Sequence, residues 1–523
     1  MEVAQILISG KWRDATGDTT FHAFNPSTSE ALTTEFPISA WADCDAALNA
    51  ATEAAAILRT VSPQSIAAFL EAYAANIEMN ATAIIEAAHE ETGLPIAPRL
   101  KDVELPRTTN QLRQAALAVR EESWKRATLD LQRNIRSCLA PIGPVVVFGP
   151  NNFPLAFNGI SGGDFAAAIA AGNSVIAKAH PLHPNTTRLL AEEARRALES
   201  TGLPPATVQM LYNISNEDGL KLVSDPRVGA VGFTGSRPGG MALKQAAEAA
   251  GKPIYLEMSS INPVIFLPGA LAEDGVKLAQ NITDSCLAGA GQFCTSPNLI
   301  FAFAGPDADR LLVTVAQNFS ERAAQPLLSS AGRDQIGKGI AVLMASGAHL
   351  IAGGQPVEGP AFRFHNTLLQ VSGAQFLSHP NELQREVFGN ATMAVIVQDI
   401  AELQAILVHL EGNLTGSVYS AKSGADDALY NQIEPGLRQK VGRLLNDRMP
   451  TGVAVSPAMN HGGPFPATSH PGFTSVGIPA AITRFAALQC YDGVREDRLP
   501  TILRNVIENP RAWRIIDGAF VNG

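Results

Sequence analysis

The sequence predicts an α/β protein built around a parallel, doubly wound sheet. Three observations predict it. The chain has 523 residues, which at roughly 150 residues per domain makes two or three domains. Hydrophobic residues are 46% and charged residues 17% of it, the composition of a chain with a large interior. From residue 143 onward, short β-branched runs alternate with helical stretches, the pattern of stacked βαβ units.

The elements follow in order. Ile6-Leu7-Ile8-Ser9-Gly10-Lys11-Trp12 reads as a short strand entering a turn. Residues 41–120 are Ala-rich and helical in period, as in Ser65 to Met79, and Gly93 and Pro95 close one helix just past its end. Pro144 to Phe148 is a buried strand by its continuous apolar run. The turn Gly149-Pro150-Asn151-Asn152-Phe153-Pro154 leads to a small-residue helix, Asp164 to Ala171. Strands at 174–178, 208–212, 229–233 and 253–257 then alternate with helices at 185–200, 218–223 and 239–250. In such a sheet ligands bind beyond the carboxyl ends of the strands.

Composition excludes several function classes. The net charge is −10 with no dense Lys/Arg run, so nucleic acid is not an expected partner. Cys44, Cys138, Cys286, Cys294 and Cys490 are odd in number and widely spread, which argues against a disulfide framework or a metal centre. The N-terminus lacks a basic segment followed by an apolar core. No apolar stretch reaches the roughly 18 residues of a membrane helix. The expectation is a soluble, cytoplasmic protein with no membrane or metal partner.

Several strand ends carry residues with chemical potential. Phe233-Thr234-Gly235-Ser236-Arg237-Pro238-Gly239-Gly240 is glycine-rich and opens a helix, a geometry that turns backbone N–H groups toward a phosphate. Its glycines at 235 and 240 do not match the usual dinucleotide fingerprint, and a tight strand-to-helix turn explains them equally well. Glu257 ends an apolar strand, where burial would raise its pKa and suit it to general base work; a surface carboxylate at a frayed strand end is the alternative. Cys294 lies in Gly289-Ala290-Gly291-Gln292-Phe293-Cys294-Thr295-Ser296, whose glycines permit close approach to the thiol, though a lone cysteine is commonly buried and inert. The Asn152 amide could donate to an oxyanion or simply form a turn. Lys178 ends a strand within reach of a ribose or phosphate, or of solvent. Glu386, in Glu386-Val387-Phe388-Gly389, and His461, in Asn460-His461-Gly462-Gly463-Pro464-Phe465-Pro466, are ambiguous taken singly.

Ordered along the chain, Asn152 in Asn-Phe-Pro, Lys178, Gly235 and Gly240, Glu257, Cys294 and Glu386-x-Phe388-Gly389 resemble the aldehyde dehydrogenase superfamily. The resemblance runs from Ser9-Gly10-Lys11-Trp12 to Arg484-Phe485. It implies an aldehyde dehydrogenase-like fold: a dinucleotide-binding domain at 1–122 and 142–258, a catalytic domain at 259–476, a small β oligomerisation arm at 123–141 and 477–500, and a C-terminal extension at 501–523. The arm would build a homodimer or homotetramer. The resemblance also implies Cys294 as nucleophile, Glu257 as the base that activates water, and Asn152 as oxyanion donor. NAD or NADP would be held by Lys178, His180, Phe233, Gly235, Ser236, Gly240, Glu386 and Phe388.

Within the superfamily, Ser259-Ser260-Ile261-Asn262-Pro263-Val264 after the glutamate, Gly162-Gly163-Asp164 and Asn446 to Val453 resemble the branch that oxidises α-ketoglutaric semialdehyde, shared with a fatty aldehyde dehydrogenase. That implies a small anionic aldehyde as substrate, a long aliphatic aldehyde being the alternative. Arg107 is the candidate anchor for the substrate's carboxylate, with Phe157, Phe293, Thr295 and Phe465 lining the tunnel. After Lys178 stands Ala179-His180-Pro181, where the superfamily commonly places Pro-x-Glu. No carboxylate is there to bind both ribose hydroxyls and repel a 2′-phosphate, so NADP is the expected preference, with Arg237 as a second candidate cation. Ala486-Ala487-Leu488 departs from the branch, which has an arginine after Arg484-Phe485.

Overall fold

The computed structural model describes residues 3–507 and 509–522. Its first seven-stranded sheet runs in the order Ile254–Glu257, Ala230–Thr234, Val145–Phe148, Val175–Lys178, Val208–Leu211, Ile6–Ile8, Lys11–Arg13. Neighbours from Ile254–Glu257 through Val208–Leu211 are parallel, and Ile6–Ile8 joins antiparallel. All four residues of Val145–Phe148 are buried, as a parallel strand covered on both faces requires. Helices Pro63–Met79, Gly163–Ala170 and Pro184–Thr201 contribute to the same core.

Two features of this sheet position chemistry. Chain order reverses between Val145–Phe148 and Ala230–Thr234, which opens a crevice at their carboxyl ends. The register then aligns the ends: Phe148 lies opposite both Lys178 and Phe233, and Thr234 opposite Glu257. Lys178, Glu257 and the turns after residues 148 and 234 therefore emerge along one edge.

A second seven-stranded sheet runs His349–Ala352, Thr367–Ser372, Ala391–Val397, Leu299–Phe303, Val264–Phe266, Asn413–Tyr419, Val441–Asn446, parallel except for its first strand. It has its own apolar core. Here the segments of interest, Ser259–Pro263, Gly289–Asn298 and Glu386–Asn390, precede their strands. The second sheet thus turns its amino ends toward the carboxyl ends of the first.

A five-stranded sheet stands apart, ordered Ala486–Asp492, Ile135–Pro141, Thr128–Asp130, Trp513–Ile516, Ala519–Asn522. The segment read from sequence as an extension beyond residue 500 supplies the last two of these strands. Their side chains alternate weakly between faces, and Phe520 and Val521 are exposed, which leaves little periodicity to read.

Candidate active site

Three side chains from distant parts of the chain converge at the cleft. Glu257 is held by the parallel ladder at its strand end and is buried. Its Oε1 lies 2.9 Å from His461 Nε2, and its Oε2 accepts a 2.8 Å hydrogen bond from Ser475 Oγ. The same His461 Nε2 lies 3.3 Å from Cys294 Sγ. The ligand-type atoms of Glu257, Cys294 and His461 all fall within 4.8 Å of one another, so this trio could also hold a thiophilic metal.

The carboxyl behaves differently from the sequence-based expectation of a raised pKa. Burial pushes Glu257 up, but the charge of His461 and the hydrogen bonds from His461 and Ser475 outweigh it and hold the group below the usual carboxylate range. Burial and then the charge of Glu257 push the Cys294 thiol well above its ordinary value, with Arg107 opposing them. The resting thiol therefore carries its proton, and the ionised Glu257 carboxylate beside it is placed to take it.

The loop that carries Cys294 is fixed from two sides. Gly291 has φ +69°, and a Cβ there would lie 2.2 Å from the Gly389 carbonyl oxygen, so only glycine fits. Asn262, itself at φ 49°, donates through Nδ2 to the carbonyls of Cys294 and Ser296, 2.9 Å each. Across the cleft, Asn152 is buried and its Nδ2 donates to the Gln292 carbonyl at 2.9 Å. The Asn152 turn is braced by a buried ion pair: Arg99 Nη1 bonds Glu104 Oε2 at 2.6 Å, while its Nη2 donates to the Asn152 carbonyl at 2.9 Å. Glu104 Oε1 accepts from the N–H groups of Leu155 and Ala156.

On the cofactor side, Gly235 and Gly240 pack against the Phe233 ring, and a Cβ on Gly235 would lie 2.8 Å from it. Ser236 caps the helix Arg237–Ala249, accepting from Gly239 N–H. Arg237, Pro238, Ser259, Ser260, Glu386 and Glu411 help line a cleft of about 460 Å³. Burial raises Glu386 to about 7, opposed by a hydrogen bond from Ser259. A helix N-terminus, a tight glycine turn and a carboxyl over one cleft fit a dinucleotide. Lys178 ends its strand, and burial lowers its pKa to about 8. His180 stacks on His183, with ring centroids 5.3 Å apart.

The comparisons with known proteins agree with this geometry. Residues 12–438 match the aldehyde dehydrogenase family. The chain belongs to that family. It is 42% identical over 514 residues to α-ketoglutaric semialdehyde dehydrogenase 2 of Azospirillum brasilense, covering 95% of this chain and 96% of the relative. It is 38% identical over 491 residues to α-ketoglutaric semialdehyde dehydrogenase of Acinetobacter baylyi, covering 91% of each. Among solved structures, aldehyde dehydrogenase C from Pseudomonas syringae, complexed with NAD+ and octanal, superposes with a TM-score of 0.81 at 21% identity, covering 94% of this chain and 97% of that one. The protein is an NAD(P)-dependent aldehyde dehydrogenase.

Most of the residues singled out in sequence meet in this aldehyde dehydrogenase's cleft. Phe157 and Phe293 each lie 5.2 Å, ring to ring, from Phe153, and Phe157 lies 5.8 Å from His461. Thr295 Oγ1 accepts from Gly452 N–H at 3.2 Å. Phe388 is half-buried in the loop before Ala391–Val397. Arg107 has its guanidinium carbon 5.0 Å from the Phe157 ring centroid.

One residue sits elsewhere, and one in the cofactor cleft is already paired. Phe465 is half exposed beneath the Arg237 guanidinium, away from the Phe153, Phe157 and Phe293 group, because the segment 463–466 turns back along Gly412. Arg237 is committed to a bidentate pair with Glu411. Sequence reasoning gave His461 no role and did not single out Arg99, Glu104, Asn262 or Ser475. For His461 the signal was its Gly-Gly-Pro context beyond the matched family region.

Proposed function

We propose that this aldehyde dehydrogenase oxidises α-ketoglutaric semialdehyde to 2-oxoglutarate through a covalent Cys294 intermediate. The observation that carries the chemistry is the Cys294–His461–Glu257 chain facing Asn152. The ionised Glu257 carboxylate beside the thiol takes its proton, and Sγ forms a bond to the aldehyde carbon. The Asn152 amide and the Cys294 backbone N–H stabilise the resulting oxyanion. A nicotinamide dinucleotide held by Lys178, Gly235, Ser236, Gly240 and Glu386 would supply the hydride acceptor for this carbon. Loss of the hydride leaves Cys294 as a thioester, and Glu257, its first proton passed to solvent, draws a proton from the water that hydrolyses it, regenerating the thiol and releasing the acid.

The substrate reading rests on the two relatives' names and on Arg107, whose Nε and Nη2 are buried without a partner beside the aromatic tunnel. NADP is the preferred cofactor in this reading. Its support is the position after Lys178, where the charges acting on His180 are those of His183 and Lys178 and no carboxylate is among them. A long aliphatic aldehyde is the competing substrate, served by the same aromatic walls.

Rapid mixing with the semialdehyde and NADP should give a burst of reduced cofactor that Cys294→Ser abolishes. A burst surviving in the variant would remove Cys294 from the mechanism. Steady-state kinetics should give a kcat/KM at least about tenfold higher for the semialdehyde than for octanal, and higher with NADP than with NAD; reversal of either ratio would overturn that half of the reading.

A further inference from the structure

Among the described residues, two arginines that hold the loop bonded to Thr295, next to Cys294, lack a carboxylate partner. Arg107 extends from the helix Leu105–Glu121 and Arg443 from the edge strand Val441–Asn446 of the other lobe. Among the described residues neither takes part in an ion pair with a carboxylate. Both reach the same short loop. Arg107 Nη1 donates to the Val453 carbonyl at 2.7 Å. Arg443 Nη2 donates to the carbonyls of Pro450 at 2.7 Å and Gly452 at 3.1 Å. The loop is pinned to the nucleophile's own segment as well, through Gly452 N–H to Thr295 Oγ1 at 3.2 Å and Thr451 Oγ1 to the Ser285 carbonyl at 3.2 Å.

We propose that the loop Pro450–Val453, clasped between Arg107 and Arg443, forms the grip on the acid end of the substrate, with Arg443 as the residue that positions it. The inference rests on the semialdehyde reading above. Cations drawn partly out of water are ordinarily matched by an anion, and here the carbonyls of one loop are the partners of both half-buried arginines. The division of labour follows from which nitrogens are free. Arg443 spends both Nη atoms on the loop, and only its Nε is unpartnered. Arg107 spends one Nη and keeps Nε and Nη2, the edge of the guanidinium that takes a carboxylate by two parallel bonds. Burial lowers the pKa of each. Loosening the loop from the Arg443 side frees Val453, and with it the orientation of the Arg107 fork.

The test compares α-ketoglutaric semialdehyde with neutral pentanal in wild type, Arg443→Met and Arg443→Lys. Wild type should prefer the anionic aldehyde. Arg443→Met should cut the kcat/KM ratio of acid to neutral aldehyde by about tenfold, the effect of losing one charge-assisted contact, and through KM rather than kcat. Arg443→Lys, which keeps a donor cation, should recover part of the ratio. The pentanal burst in the same preparation shows that the variant is folded and its thiol competent. If wild type shows no preference for the anionic aldehyde, the substrate reading falls and the grip with it. If wild type discriminates but Arg443→Met keeps the full ratio, the substrate reading stands and the clasp is wrong.

Discussion

The lobe built on Val145–Phe148 offers the cleft the carboxyl ends of its strands, whereas the lobe built on Leu299–Phe303 offers the amino ends. In the first, a functional side chain is the last residue of a strand, and the hydrogen-bond ladder holds it. Lys178 and Glu257 are both registered against a neighbouring strand. In the second, the functional side chains sit in loops before the strands and must be fixed by added contacts, such as the Asn262 amide on the carbonyls around Cys294. The first wall is rigid by topology at these strand ends, while its Asn152 turn relies on the Arg99–Glu104 brace. The other is rigid by individual side chains.

The largest expected effect separates the walls chemically. Glu257→Gln keeps the strand end but removes the base for the water, so kcat should fall by roughly 10²–10⁴-fold, the range of a lost general base. Glu257 also stands beside the thiol, so the burst of reduced cofactor should slow in stopped-flow absorbance. A burst of undiminished rate would mean that a group other than Glu257 takes the thiol proton.

A second test concerns the brace under Asn152. Glu104→Gln leaves Arg99 without its counter-charge in a buried setting, and breaking such a pair costs about 3–5 kcal/mol of stability. Urea unfolding measures it. Replacing both partners by apolar residues should cost less than the single change. Equal losses would show that the pair adds nothing beyond packing.

The same contrast explains what the sequence revealed. Strands and helices are legible because apolar runs and turn residues are local signals. The strand predicted at 253–257 is Ile254–Glu257, and the helix predicted at 185–200 is Pro184–Thr201. Cys294, Glu257, Lys178, Glu386 and Asn152 became readable only as an ordered set that resembles a family. His461 and Ser475 come from the stretch between Val441–Asn446 and the 3-10 turn Ala480–Phe485, which contains no helix or strand. No periodicity marks such a segment, and its partner Glu257 lies about two hundred residues away. The lowered pKa of Glu257 was illegible for that reason: burial is implied by an apolar strand, but the groups that offset it arrive from a loop.

The smallest effect tests that offset directly. Ser475 Oγ donates to Glu257 Oε2 at 2.8 Å, with the His461 carbonyl oxygen 3.0 Å away as the competing acceptor, so Ser475→Ala removes one hydrogen bond to the carboxylate while His461 remains. Burial is then less opposed, and the Glu257 pKa rises. Water activation needs the ionised carboxylate, so thioester hydrolysis fails as pH falls through that pKa, and the acid limb of kcat should move to higher pH in the variant. A carboxyl held below its unfolded pKa adds stability above the unfolded value, and that stability is lost as pH falls through the folded one. The variant should therefore lose about 1.5–3 kcal/mol at neutral pH, typical of a hydrogen bond to a charged group, and less than that in acid. His461→Asn should shift the same limb further in the same direction, because its charge is the largest influence holding Glu257 down. An acid limb unmoved in both variants would assign it to a group other than Glu257.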